Sequence, residues 1–198
     1  MSSSVEVKAR PGRQRSVEAD RAILSAAIDE LAESGYGSFT VAAVIARAGV
    51  SSATLYRRWA TKEELVAAAL ASLHPEPVDI DTGSLEGDVT ALVARMAKSM
   101  SVRRDDLAGA LSTELRHDDD LRAAIEAKFA TPRLALIGDI LARARDRGEL
   151  SEPPSAEVAW SLLAGPLHHR AYLRDKPLTP TFVRTTTAFV LAGLRAVS

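Results

Sequence analysis

Apolar residues recur at helical spacing along almost the whole chain, and no stretch alternates with the period of two that a β-strand requires. The first helical segment covers 17–34, with acidic residues off its apolar face. Its apolar positions are Ile23, Leu24, Ala27, Ile28 and Leu31. Gly35 and Gly37 are expected to end it, because glycine accepts the left-handed backbone of a helix C-terminus. The pattern predicts an all-α protein of about nine helices without internal repeats.

Two short helices joined by a tight turn are predicted at 41–48 and 52–59. Thr40 and Ser51 precede them as N-cap residues, whose side-chain oxygens accept hydrogen bonds from backbone N–H groups. Gly49 is expected to end the first of these helices and to form the turn between them. A helix of about two turns is marginal alone, so the surrounding helices must hold the second one in place.

The second of these helices has the surface of a helix that enters the DNA major groove. Leu55 and Trp59 are four residues apart and form its buried stripe. The remaining positions combine small side chains, which permit close approach, with one tyrosine and two arginines. These positions are Ser52, Ala53, Thr54, Tyr56, Arg57 and Arg58. The pattern predicts a sequence-specific DNA-binding protein.

A capping box, Thr61-Lys-Glu-Glu64, predicts the start of the next helix, which continues to Leu73. Lys62 lies in its first turn, where the helix dipole disfavours a cation. A DNA phosphate beside Lys62 would remove that penalty, so we interpret this lysine as a contact to the DNA backbone. The alternative is an ordinary exposed lysine.

Prolines and turn residues at 74–83 predict a domain boundary. Apolar helical faces then recur to the C-terminus, where Pro132 and Pro166 are expected to kink or restart helices. The predicted division is a flexible basic arm at 1–16, a three-helix helix-turn-helix domain at 17–74 and a C-terminal helical domain at 84–198.

Charge and hydropathy refine this picture. The formal net charge is −1, so DNA binding would rely on a local basic patch instead of an overall field. Residues 1–15 form a small basic arm, which either touches DNA or is simply solvated.

The chain has no apolar run of about 18 residues and no secretory signal, which excludes a transmembrane helix and makes a cytoplasmic protein the default. A membrane-surface role would need a basic face along a helix, which none shows clearly.

Catalytic and metal chemistry are not indicated. The chain lacks cysteine, so it has no disulfide, thiolate metal site or cysteine nucleophile. Glu114 and His117 have the E-x-x-H spacing of di-iron proteins, but that chemistry needs a second such motif and two further glutamates. His168 and His169 are adjacent and point about 100° apart on a helix, so they cannot chelate one ion. We expect no enzyme activity, no catalytic residue, no metal and no cofactor.

The stretch beginning at Phe39, FTVAAVIARAGVSSATLYRRWATKEELV, resembles the DNA-binding domain of the TetR/AcrR family of transcriptional regulators. The resemblance is specific over roughly 21–73. Further on, RDRGEL at 145–150 and LLAGPLHHR at 162–170 look like parts of the C-terminal ligand-binding and dimerisation domain seen in that family.

The resemblance implies a homodimer that places one recognition helix per subunit in the major groove of a palindromic or near-palindromic operator on double-stranded DNA. Dimerisation is expected near 155–175 and 179–196. Arg58 and Ser52 are expected at base edges, whereas Tyr56 and Lys62 position the protein. The full set of expected DNA-binding residues is Thr40, Ser51, Ser52, Ala53, Thr54, Tyr56, Arg57, Arg58 and Lys62. Ala42, Ile45 and Ser52 depart from the family pattern, so the operator sequence cannot be deduced.

A regulator of this kind needs an input, and the C-terminal helices offer adaptable apolar side chains for one. The expected effector-pocket residues are Met96, Met100, Leu111, Phe129 and Trp160, for which ordinary core positions are the alternative. The predicted function is a ligand-responsive DNA-binding regulator, a repressor released by a small apolar or amphipathic effector. The alternative is a helical small-molecule-binding dimer without a role in DNA regulation.

Overall fold

The computed structural model describes residues 11–73, 78–102, 111 and 113–197. Every regular element in these ranges is helical, which confirms the all-α prediction. The α-helices in chain order are α1 Pro11–Ser38, α2 Val41–Ala48, α3 Ser52–Tyr56, α4 Lys62–Ser72, α5 Leu85–Val102, α6 Asp119–Ile125, α7 Thr131–Asp146, α8 Ala156–His168 and α9 Pro180–Ala196. The remaining elements are a 3₁₀ turn at Glu114–Arg116 and π-helical turns at Glu126–Ala130 and His169–Leu173.

Helix α1 begins earlier than the apolar pattern predicts. It starts at Pro11 instead of near residue 17, because proline already has a helical φ and its missing N–H is not needed in the first turn. Residues 11–16 of the expected flexible arm are therefore helical, and 1–10 lie outside the described residues. The break at Gly35 is as predicted: its φ of 67° and ψ of 169° interrupt the helix.

Two side-chain caps show how local chemistry sets helix starts. The Thr61 hydroxyl accepts a hydrogen bond from the Glu64 N–H at 3.1 Å, and the Glu64 carboxylate accepts one from the Ala60 N–H at 2.8 Å. The predicted capping box thus forms, with its return bond one residue earlier than in the standard motif. At α9, the Thr179 hydroxyl accepts from the Phe182 N–H at 3.3 Å.

The buried apolar side chains of the described residues form two clusters. We call one the N-terminal cluster; it comprises Ile23, Ala26, Ala27, Ile28, Leu31, Tyr36, Phe39, Val44, Leu55, Leu65, Val66, Ala69, Leu70, Leu111 and Leu121. We call the other the C-terminal cluster; it comprises Ile80, Leu85, Val89, Leu92, Val93, Met100, Leu136, Ile137, Ile140, Leu141, Ala144, Leu150, Ala159, Leu163, Leu167, Val190, Leu191 and Leu194. Burial of this apolar area is the main favourable term in folding.

The N-terminal cluster extends across the boundary predicted at 74–83. Leu111 and Leu121 are almost fully buried within it, and α6 packs against α4. The C-terminal part of the chain therefore contributes directly to the core of the helix-turn-helix region. Leu107, which the pattern groups with Leu111, lies outside the described residues.

The two prolines that were expected to kink or restart helices, Pro132 and Pro166, lie close to π-helical turns. Pro132 is in the first turn of α7, where the chain restarts directly after the turn at Glu126–Ala130. Pro166 lies inside α8, and the turn at His169–Leu173 follows it. Proline cannot donate the backbone hydrogen bond of a regular helix, which accounts for the predicted restart and for irregular geometry nearby.

Candidate nucleic-acid interface

Helices α2 and α3 form the predicted helix-turn-helix. The hydroxyls of Thr40 and Ser51 accept hydrogen bonds from the N–H groups of Ala43 and Thr54, each at 3.2 Å. Ser51 and Thr54 also join their side-chain oxygens at 2.9 Å. Gly49 adopts φ 65° and ψ 32°, a left-handed conformation that glycine tolerates without strain and that ends α2.

One face of α3 is exposed and polar. Ser52, Ala53, Tyr56 and Arg57 are exposed, Thr54 is half-buried, and Leu55 is 1% exposed on the opposite side. Tyr56 keeps 51% of its surface exposed. Within the described part of the chain, neither Tyr56 nor Arg57 has a side-chain hydrogen bond or an ion pair. Their side chains therefore contribute little to the fold and are available to a partner.

Helix α3 is shorter than predicted, and Arg58 faces α1 instead of the exposed surface. The helix ends at Tyr56, whereas the expected end was Trp59, which is half-buried against the N-terminal cluster. The Arg58 guanidinium forms an ion pair with Asp20 and donates to the Ser16 hydroxyl at 3.0 Å and to the Thr54 carbonyl at 2.8 Å. These contacts occupy the guanidinium, so the base-edge role expected for Arg58 does not fit this conformation.

Lys62 also has an intramolecular role. Its ammonium donates to the Tyr36 carbonyl at 2.8 Å and lies 4.0 Å from the centroid of the Tyr36 ring. The carbonyl belongs to the end of α1, where a cation is favourable on dipole grounds. The cost of a lysine in the first turn of α4 is thus offset within the chain. A DNA phosphate beside Lys62 is therefore not required to offset this cost.

Tyr36 connects the helix-turn-helix region to the C-terminal part of the chain. Its hydroxyl donates to Asp118 at 2.8 Å, and Glu63 lies 3.1 Å from the same oxygen. Burial and the neighbouring carboxylates raise the pKa of Tyr36 strongly, so it remains a neutral donor. The hydrogen bond from the Leu121 N–H, followed by that from Tyr36, lowers the pKa of Asp118. Sequence reasoning missed this link because its partners are far apart in the chain.

The side chains expected to line an effector pocket do not form one group. Met100 is buried in the C-terminal cluster, and Met96 and Trp160 pack partly buried against it. Leu111 belongs instead to the N-terminal cluster. Phe129 stacks on the guanidinium of Arg133, whose Cζ lies 3.7 Å from the ring centroid. The sequence could not separate these positions, because apolar spacing does not identify the helix that each one faces.

Helices α8 and α9 expose large apolar side chains. Val158 is 51% exposed, Leu162 is 44% exposed and Phe189 is 75% exposed. Val158 and Leu162 are four residues apart, which places them on one face of α8, and α8 packs against α9. An exposed apolar surface of this kind is typical of a protein–protein contact.

In the described ranges, no group of three or more histidine, aspartate or glutamate side chains is arranged to hold a metal ion. No described helix is long and apolar enough to cross a membrane.

Comparison with known proteins agrees with this geometry. Residues 23–69 match the family described as bacterial regulatory proteins, tetR family, and residues 79–190 match the tetracycline repressor-like C-terminal domain. The fold, the exposed helix surface and these matches define a helix-turn-helix transcriptional regulator. It belongs to the TetR family.

Similar proteins have the same general description. The chain is 34% identical to the regulator Rv1556 of Mycobacterium tuberculosis over 82% of this chain and 80% of that protein. It is 32% identical to the DNA-binding transcriptional repressor TetR of Mycobacteroides abscessus, over 82% of this chain and 86% of that repressor. Among solved structures, the TetR family regulator SCO0332 superposes with a TM-score of 0.61 at 26% identity, covering 89% of this chain and 98% of that one.

Proposed function

We propose that the exposed face of α3 binds the major groove of operator DNA and that the bound state represses transcription. The observation that supports this most directly is the free surface of Tyr56 and Arg57, beside the small residues Ser52 and Ala53. Small side chains permit close approach, while tyrosine and arginine reach phosphates or base edges. The protein would act in the cytoplasm of a bacterial cell, where its DNA is.

Thr40, Ser51 and Thr54 support this contact from the helix starts. Thr40 and Ser51 are exposed and cap α2 and α3, whose first N–H groups are the type of donor that binds phosphate. Arg58 and Lys62 act differently in our proposal: they hold α3 and α4 against α1, which fixes the angle at which Tyr56 and Arg57 meet DNA. Both are positioning residues for operator binding.

A dimer formed through α8 and α9 would have two-fold symmetry, so the operator that it binds should be palindromic. Val158, Leu162 and Phe189 provide an exposed apolar surface, and a two-fold axis through it would pair the same surface of two subunits. Two recognition helices then read half-sites whose centres lie about 34–36 Å apart on one face of the duplex. Phe189→Asp is expected to give a monomer in sedimentation velocity, whereas wild-type protein sediments as a dimer. A monomeric wild type at micromolar concentration would contradict this interface.

A small-molecule effector would release the operator by moving α4. Helix α4 packs against α1, α6 and the turn at Glu126–Ala130, so it connects the C-terminal helices with the helix-turn-helix. A ligand shifts this arrangement only if it binds the released and DNA-bound states with different affinity. One similarly folded regulator, FadR of Bacillus subtilis, was crystallised with stearoyl-CoA; at 19% identity the likeness shows the fold alone. It illustrates that an amphipathic ligand can occupy such a fold.

Selection of bound sequences from a random DNA pool tests operator binding. The expected result is a single enriched palindrome that wild-type protein binds and Tyr56→Ala binds at least about tenfold more weakly. Arg145→Ala, which changes an exposed arginine of α7, is the matched control and should bind as the wild type does. A pool without any enriched sequence would overturn the proposal and favour a helical ligand-binding dimer.

A further inference from the structure

The guanidinium of Arg133 is buried in the C-terminal half of the fold without a carboxylate partner among the described residues. Arg133 is only 8% exposed. Its Nη1 donates to the Phe129 carbonyl at 2.7 Å, and its Cζ lies 3.7 Å from the centroid of the Phe129 ring. Both contacts are to one neutral residue. Within the described ranges, the positive charge of Arg133 therefore has no negative charge to balance it.

Two partly buried arginines near the C-terminal end of the same helix are balanced by carboxylates. Arg143 pairs with Asp79 at 3.2 Å, and Arg147 lies 3.5 Å from Asp88 and 2.6 Å from Glu149. Both are more exposed than Arg133, yet both have carboxylates. Arg133 therefore differs from Arg143 of the same helix and from Arg147 directly after it: it is more buried, and none of the described residues pairs a carboxylate with it.

An unbalanced buried cation is unfavourable for the ligand-free protein. Burial lowers the pKa of Arg133 to about 10, so it is still charged near neutral pH. Moving an ion out of water without a counter-ion raises the free energy of the folded state. An anion bound at this position would remove much of that cost.

The surroundings of Arg133 are apolar. Ile137 and Ile140 follow it by four and seven residues, so they share its face of α7, and both are fully buried in the C-terminal cluster. Met96 and Trp160 pack partly buried against the same cluster. A molecule that neutralises Arg133 and contacts this cluster must combine an anionic group with an apolar body.

The position of Phe129 connects Arg133 to the DNA-binding region. Phe129 lies in the π-helical turn at Glu126–Ala130, and this turn packs against α4. Turns of this type are rare and occur often at functional sites. A change in the stacking of Arg133 on Phe129 would thus alter the turn at Glu126–Ala130, which contacts α4, the helix that follows the helix-turn-helix.

We propose that Arg133 binds the anionic group of the effector, and that the effector is an amphipathic organic anion with a carboxylate or phosphate head. A planar guanidinium binds either oxyanion through two parallel hydrogen bonds. The apolar part of the molecule lies against the C-terminal cluster. This assignment deepens the proposed function and rests on it for the regulatory consequence, but binding of the anion requires no DNA.

Calorimetric titration of the full-length protein tests the site. The probes are decanoate, decyl phosphate and the uncharged decanol, with Arg133→Met, Arg133→Lys and the exposed control Arg145→Met as variants. We expect at least one anion to bind wild type and control, with about tenfold or greater loss in Arg133→Met and a smaller loss in Arg133→Lys. Decanol should bind wild type and Arg133→Met equally. The stronger of the two anions identifies the head group.

A second measurement separates ligand binding from a structural role. Arg133→Met removes an unbalanced charge and keeps the apolar length of the side chain, so the ligand-free variant should melt at a higher temperature than wild type. A lower melting temperature would show that Arg133 serves the fold. Equal affinity of the anions for wild type and Arg133→Met, or no binding of either anion to wild type, would overturn the proposal.

The test of anion binding at Arg133 and the test of operator binding can succeed or fail separately. If the anion binds through Arg133 but operator affinity does not change, the site stands and release by this effector fails. If a selected operator is bound and neither anion binds, DNA binding stands and the Arg133 site fails.

Discussion

The side chains of Arg58 and Arg133 are both largely buried, but their guanidinium groups differ in whether a carboxylate balances the charge. Arg58 forms an ion pair with Asp20 and hydrogen bonds with Ser16 and Thr54. Among the described residues, Arg133 contacts only the carbonyl and the ring of Phe129 through its guanidinium. The guanidinium of Arg58 is bound by neighbouring elements, whereas that of Arg133 has no carboxylate partner in the part of the chain that the structure describes.

The difference shows how one residue type can hold a structure or bind a ligand. A paired guanidinium joins two helices and loses its function if either partner is removed. An unpaired one makes the folded state less stable until an anion arrives from outside the chain. Active and binding sites often retain such unfavourable charges, at a cost in stability.

Replacing Arg58 should produce the largest effect. Arg58→Met leaves Asp20 without its partner and frees the end of α3, so we expect a loss of about 1–3 kcal/mol in the free energy of unfolding, allowing for the partial exposure of Asp20. Urea denaturation followed by circular dichroism measures it. A double-mutant cycle with Asp20→Asn should show strong coupling between the two residues. Additive effects would mean that Asp20 does not stabilise Arg58, and the proposed difference between Arg58 and Arg133 would be wrong.

Replacing Arg133 should change stability in the opposite direction. Arg133→Met is expected to raise the free energy of unfolding by about 1 kcal/mol, since a buried charge is exchanged for an apolar side chain of similar length. Arg145→Met, on the exposed side of the same helix, should lie within about 0.5 kcal/mol of wild type. If Arg133→Met destabilised the protein as much as Arg58→Met, the two arginines would have the same structural role.

The link between Tyr36 and Asp118 should give a smaller effect that depends on pH. Tyr36→Phe removes one hydrogen bond between the two parts of the chain, at a cost of about 0.5–1.5 kcal/mol near neutral pH. The pKa of Asp118 is lowered from its ordinary value of 3.8 in the folded protein. The stabilisation by this carboxylate is therefore complete above about pH 4 and is lost as the pH falls through the folded pKa.

Melting curves of wild type and Tyr36→Phe at several pH values check this. The difference between their melting temperatures should be constant from neutral pH down to about 5 and should shrink under more acidic conditions. A difference that first shrinks near pH 7 would show that another group controls the link.

Local features of this fold were predictable from the sequence. The N-caps at Thr40, Ser51 and Thr61, and the breaks at Gly35 and Gly49, depend on residues within three or four positions of each other. Cap chemistry and backbone preference act at that range, so residue type alone identifies them.

Long-range features were not predictable. Arg58 lies in a segment that local spacing predicts as helix, but its partner Ser16 is 42 residues away and draws the side chain towards α1. Leu111 has the composition of a pocket residue, and only tertiary packing assigns it to the N-terminal cluster. Arg133 interrupts an apolar face in a way that resembles an ordinary polar position, so the sequence contains no local signal of its burial.

The binding of the selected operator by Arg57→Ala, measured by fluorescence anisotropy over a range of salt concentrations, tests the central claim most directly. Arg57 is exposed and without a partner in the described part of the chain, so the variant should keep the wild-type melting temperature. We predict an affinity at least about tenfold lower, with the salt dependence reduced by about one released ion if the contact is to phosphate. Unchanged affinity and unchanged salt dependence would contradict the assignment of the exposed α3 face to DNA.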